Sequence, residues 1–129
     1  MPRLVVPSRI ILGLMLVLSM GCGSSPPPPS DPVKGKALLV NALDAWKRGE
    51  SLDAYRKATP TVTVADRQWE QGVRLLNYEL TSEGKPEGFD VQFTVKLSLD
   101  EKSPKKGQEK TLYAISTAPA QVIVRLEGQ

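Results

Sequence analysis

Phe89, Val91, Phe93, Val95, Leu97 and Leu99 alternate with Asp90, Gln92, Thr94, Lys96 and Ser98 in strict period two. Alternation of this kind predicts a long strand with one row of side chains against a core and the other in water, as in a one-sided antiparallel sheet. A sheet with one apolar face needs a second layer to cover it. The rest of the chain has to supply both the neighbouring strands and the cover.

Upstream, Leu76, Tyr78 and Leu80 share one face of a predicted strand with Asn77, Glu79 and Thr81 on the other, and Gly84-Lys85-Pro86-Glu87-Gly88 turns the chain into the long strand. Downstream, Asp100 to Glu109 is a polar segment with proline, glycine and charges of both signs, the composition of a solvated hairpin tip. Thr111 to Thr117 then forms a third strand with Tyr113 and Ile115 on one face. After Pro119, Val122, Val124 and Leu126 oppose Ile123 and Arg125 in a fourth.

The cover comes first in the chain. Asp31-Pro32 is a helix start, an acceptor side chain followed by proline at the first helical position. Leu39, Ala42, Leu43 and Trp46 follow at i, i+3, i+4 and i+7, with Lys47 and Arg48 suited to the negative helix end and Gly49 to the C-terminal cap. Trp46 belongs to that apolar stripe and is expected in the core. Ser51 can cap a shorter helix through Leu52, Ala54 and Tyr55 that stops before Thr59-Pro60, because the residue before proline avoids helical geometry. Thr61 to Val64 reads as a short strand, and Ala65 to Trp69 as a turn whose Asp66 is either a local cap or an acid facing a cavity. The expected fold class is α+β: an N-terminal amphipathic helix and a short helix packed on a curved antiparallel meander of four to five strands.

Before that domain, Arg3 and Arg9 lead an apolar run from Ile10 to Met20, and no acid occurs before Asp31. This is the ordering of a secretory signal, and the run falls short of the about 20 residues a membrane span requires. Ser19-Met20-Gly21-Cys22 resembles a bacterial lipobox, in which a peptidase cuts before a cysteine that carries lipid. The resemblance implies acylation of Cys22, a palmitate-type chain and attachment to the bilayer on the periplasmic or other extracytoplasmic face. Gly23 to Ser30, rich in serine and proline, has no side chain able to build a core. As polyproline II at about 3.1 Å per residue, the stretch from Cys22 to Asp31 makes a spacer of about 30 Å. The expected organisation is a signal peptide over 1–21, a lipidated tether over 22–30 and one domain over 31–129.

Removing residues 1–21 takes two arginines and no acids, which leaves 15 basic against 14 acidic side chains. A chain so nearly neutral gives no warrant for nucleic-acid binding. With Cys22 acylated the domain has no disulfide, and the sequence has no histidine. Cys/His metal sites, Ser-His-Asp triads and histidine acid/base chemistry therefore drop out together, and no metal or other cofactor is expected.

The layout, with Ala45-Trp46-Lys47-Arg48-Gly49 closing the first helix and Asp66, Trp69 and Gly72 leading into the long strands, resembles the nuclear-transport-factor-2-like group of the cystatin-like fold. That resemblance implies a cone of sheet and helix, empty or filled, which in enzymatic members holds an Asp/His or Tyr/Asp constellation. Here only Asp66 with Tyr55, Tyr78 or Tyr113 could reproduce the second. The Gln-x-Val-x-Gly hairpin of inhibitory cystatins is absent at Gln121 to Arg125. Trp46, Trp69, Phe89, Phe93, Tyr78 and Leu76 are bulky enough to fill a small cone. The expectation is accordingly a non-catalytic interaction module that docks an envelope protein or another copy of itself through a sheet face or edge. The alternative is a small-ligand binder, or a rare isomerase-like or dehydratase-like enzyme, using the cone interior.

Overall fold

Helix α1 (Pro32–Lys47) starts where Asp31 accepts hydrogen bonds from the Val33 and Lys34 backbones, and it buries Gly35, Leu39, Ala42, Leu43, Ala45 and Trp46 on one face. In the computed structural model the described residues are 28–100 and 107–126. The expected signal segment 1–21, Cys22 and most of the tether lie outside them. Helix α2 (Leu52–Ala58) is capped by the Ser51 side chain and buries Leu52 and Tyr55. Strand β1 (Val62–Ala65) follows, and then Asp66 caps a single helical turn, α3 (Arg67–Glu70), where the sequence suggests an open turn. Strands β2 (Leu75–Leu80), β3 (Lys85–Glu87), β4 (Asp90–Leu99), β5 (Gly107–Ser116) and β6 (Gln121–Leu126) complete the chain.

The architecture is α+β, with a curled half-barrel sheet and few helices. Strand order is β1-β6-β5-β4-β2, and β3 also pairs with β4. The sheet is mixed rather than wholly antiparallel, because β1 runs parallel to β6, from Val62 opposite Gln121 to Ala65 opposite Val124. Among the described residues it has six strands rather than four or five. The segment expected as a turn at Gly84–Gly88 contains β3, which lies along the first residues of β4 while β2 takes the last ones. Gly84 bridges these two. A Cβ there would stand 2.7 Å from Val91 Cγ1 and 2.8 Å from Phe93 Cζ, a space that only glycine leaves free.

The core is a single cluster built from the inward row of β4, from Tyr113 and Ile115 of β5, and from the buried faces of α1 and α2. Val91, Phe93, Val95, Leu97 and Leu99 are all buried, as the alternation predicts, but Phe89 is not: it occupies the tip of the β3–β4 hairpin and is 51% exposed. Leu76 is likewise outside, because a register shift between Leu75 and Asn77 turns Leu75 to the core in its place. The same arithmetic of faces applies to β6, where Ile123 and Arg125 point in while Val122, Val124 and Leu126 are half-buried on the other side. Filling of the interior thus falls to Trp46, Trp69 and Phe93, with Tyr78 at its margin.

Ser30, placed by composition in the tether, belongs to the folded unit. It is buried, its N–H donates to the Phe89 carbonyl at 2.9 Å, and its Oγ accepts from the Thr117 N–H at 2.9 Å. The Asp31 N–H in turn donates to Thr117 Oγ1 at 2.9 Å. Among the described residues, no helix is long and apolar enough to cross a membrane.

Candidate functional site

Asp66 ends β1 and begins α3, so its backbone is extended and its side chain is aimed back over the first helical turn. One carboxylate oxygen accepts from the backbones of Gln68 (3.1 Å) and Trp69 (3.3 Å) and from Arg125 (3.2 Å). The other accepts from the Tyr113 hydroxyl at 2.6 Å. Tyr113 and Arg125 are direct cross-strand partners on β5 and β6, which places both side chains on the inward face of the sheet opposite Asp66. Arg125 completes the cluster by donating to Gln68 Oε1 (2.6 Å), Glu109 Oε2 (2.8 Å) and Thr111 Oγ1 (3.2 Å).

The Arg125 and Asp66 side chains retain 3% and 1% of their exposure. A buried ion pair recovers its desolvation cost only through further hydrogen bonds, and here Asp66 accepts four while the two terminal guanidinium nitrogens of Arg125 donate four. Burial, then the Asp66 charge, pushes the Tyr113 hydroxyl well above the ordinary tyrosine value, so it stays a hydrogen-bond donor. Burial works against the Arg125 charge, but Asp66, Tyr113 and Glu109 more than offset it and hold the guanidinium protonated. Four fixed donors thus reach the carboxylate, three at one oxygen and one at the other.

Of the residues named from sequence, the structure brings Asp66 and Tyr113 together and leaves the other two tyrosines elsewhere. The Tyr55 hydroxyl donates to Asn41 Oδ1 (3.0 Å), and its ring lies 5.3 Å from that of Trp69; burial raises its pKa. Tyr78 donates to Asp44 Oδ1 (2.7 Å), and burial followed by that hydrogen bond pushes its pKa up to about 12. Sequence reading missed Arg125, Thr111, Glu109 and Gln68. The available signal was an arginine in the same alternating row as Ile123, since a charge on an inward row calls for an opposite charge facing it.

Two adjoining concavities lie away from this cluster. One, of about 450 Å³, is bordered by the α1–α2 loop, α3 and the approach to β2; Glu50, Asp53, Arg56, Glu70 and Arg74 contribute to its charged lining. An adjoining hollow of about 310 Å³ shares Arg74 and reaches Asp100. Under the groove the Trp46 and Trp69 rings stack at 5.6 Å with 14° between their planes, and their indole N–H groups donate to the carbonyls of Val73 and Glu50, both at 2.8 Å. The indoles are almost completely buried, so they brace the groove and offer little ring face to a ligand. Gly49 keeps the α1–α2 loop tight with φ of 94°, a value that strains other residues. Among the described residues, no group of three acidic, cysteine or histidine side chains could hold a metal ion.

A different surface is the outer face of β4, β5 and β6. Leu112 stands opposite Leu126 and Ala114 opposite Val124, all half-buried, with a shallow hollow of about 290 Å³ beside Thr94, Lys110 and Leu112. Protein-family models, curated proteins and solved structures give no match to this chain.

Proposed function

We propose that the protein is a lipoprotein, attached through acylated Cys22 to the extracytoplasmic face of a membrane and carrying a non-catalytic interaction module built on the nuclear-transport-factor-2-like plan. One observation carries the reading. The tyrosine–aspartate pair inside the curled sheet, Asp66 with Tyr113, is closed: Asp66 is 2% exposed and four donors reach its oxygens. A general base needs a free lone pair within reach of substrate. The surfaces that remain open to a partner are external, and the outer sheet face with Leu112, Val124 and Leu126 is the one we assign to an envelope protein.

The test is purification of the tagged mature protein from its own envelope, followed by mass spectrometry of the proteins and small molecules that accompany it. A stoichiometric protein partner that is lost with Leu112→Asp and Val124→Asp, and kept with Arg74→Glu, is the expected result. The groove beside Trp46 and Trp69 favours a second reading, a small-ligand binder. Recovery of a small molecule lost with Arg74→Glu, and of no protein, would replace the first reading by the second.

A further inference from the structure

Three large apolar side chains are exposed among the described residues: Val33 at 79%, Leu76 at 52% and Phe89 at 51%. Two of them flank the point where the chain enters the domain. The Val33 N–H donates to Asp31 Oδ1 at 2.8 Å, and the Phe89 carbonyl accepts from the Ser30 N–H at 2.9 Å. Helical spacing puts Val33 on the side of α1 away from Gly35, Leu39 and Ala42, while Phe89 crowns the β3–β4 hairpin.

Ser30 and Asp31 do not swing freely here. Three hydrogen bonds, Ser30 to Phe89, Thr117 to Ser30 and Asp31 to Thr117, fix the incoming chain to the ends of two hairpins. A tether attached rigidly at one end of a domain decides which end faces its anchor. From Cys22 the spacer reaches at most about 30 Å, so the bilayer is the surface within range of Val33 and Phe89.

We infer that this end of the domain lies against the membrane, with Phe89 and Val33 inserted at the headgroup boundary. The inference rests on the lipid anchor proposed above. Charges near the entry point nearly balance: Lys34, Lys36 and Lys85 against Asp31, Glu87 and Asp90. The contact is therefore apolar and indifferent to lipid charge. Two side chains alone bind a bilayer weakly; the anchor makes their docking intramolecular, with the high effective concentration of a short linker. The Glu50–Asp53 and Gly72–Arg74 segments, at the C-terminal end of α1, then face away from the membrane.

The experiment uses the full mature, acylated protein in neutral phosphatidylcholine vesicles. Phe89→Cys carries an environment-sensitive fluorophore, Cys22 being consumed by lipid, and Asp53→Cys, labelled identically, reports the far end. Both positions are exposed, and far-UV circular dichroism checks that each variant keeps its fold. The expected result is blue-shifted emission at position 89 with severalfold stronger quenching by headgroup-proximal brominated lipid than at position 53, unchanged when anionic lipid is added. Equal, water-like emission from both probes on protein that still floats with the vesicles overturns the docked orientation and leaves the anchor standing. Protein that no longer floats with the vesicles overturns the anchor, and the orientation with it.

Discussion

Tyr113–Asp66 and Tyr78–Asp44 are the same chemical pair in two settings. In each a phenol donates to a carboxylate, at 2.6 Å and 2.7 Å, yet the first lies inside the sheet and the second at the margin of the core. Around Asp66 the protein adds a buried arginine and two backbone donors; for Asp44 the described side-chain bond is that of Tyr78 alone. Burial is what separates them. A carboxylate withdrawn from water requires a countercharge and a full set of donors, whereas one at the margin can leave lone pairs to solvent. A tyrosine beside an aspartate is therefore not a site by itself; the state of the remaining lone pairs decides.

The largest loss of stability is expected at Asp66. Asp66→Ala leaves the buried Arg125 guanidinium with the Glu109 carboxylate alone, strips the Tyr113 hydroxyl of its acceptor and removes the cap of α3, and should cost about 3–5 kcal/mol in a urea unfolding titration. A loss below 1 kcal/mol, on the scale of exposed ion pairs, would mean that the cluster is wetter than its burial implies. Tyr113→Phe removes a single donor from the same carboxylate and should cost about 1.5–3 kcal/mol. Tyr78→Phe should cost about 0.5–1.5 kcal/mol, since water can replace the hydroxyl at Asp44. If the two tyrosine variants lose equal stability, burial is not what distinguishes the pairs.

Alkaline pH sharpens the contrast with a smaller signal. Both folded tyrosines hold their protons above the ordinary value of 10, so the unfolded chain releases its protons first and stability falls as pH rises beyond 10. The Tyr78 contribution should be gone once pH passes its folded value of about 12. Below pH 10 neither contributes a slope. Unfolding midpoints measured across this range should depend less on pH in both Tyr113→Phe and Tyr78→Phe than in the parent protein.

What sequence made legible was local. Asp31-Pro32 and the 39–42–43–46 stripe define α1, and strict alternation over Val91–Leu99 defines β4, because each depends on neighbours within a few positions. The misplacements have equally specific causes. A bulge at Leu75–Asn77 puts Leu75 rather than Leu76 on the core face of β2 while Tyr78 and Leu80 keep theirs, and in β6 both rows are apolar enough that parity does not reveal which one is covered. Phe89 continues the alternation of β4 by type, but it sits in the hairpin turn. The cluster was the least legible part. Tyr113 and Arg125 lie 47 and 59 residues from Asp66, and only strand pairing brings them to it.

The Ser30–Thr117 clasp also has a mechanical meaning. Thr117 directly follows β5, which is hydrogen-bonded on both sides by β4 and β6. Drag on the domain, transmitted along its tether, would load the Ser30 and Asp31 bonds before any strand of the sheet. They act as a latch in series with the fold. The force needed to open them limits the pull that reaches α1, and the central strand behind Thr117 is the one least able to peel away.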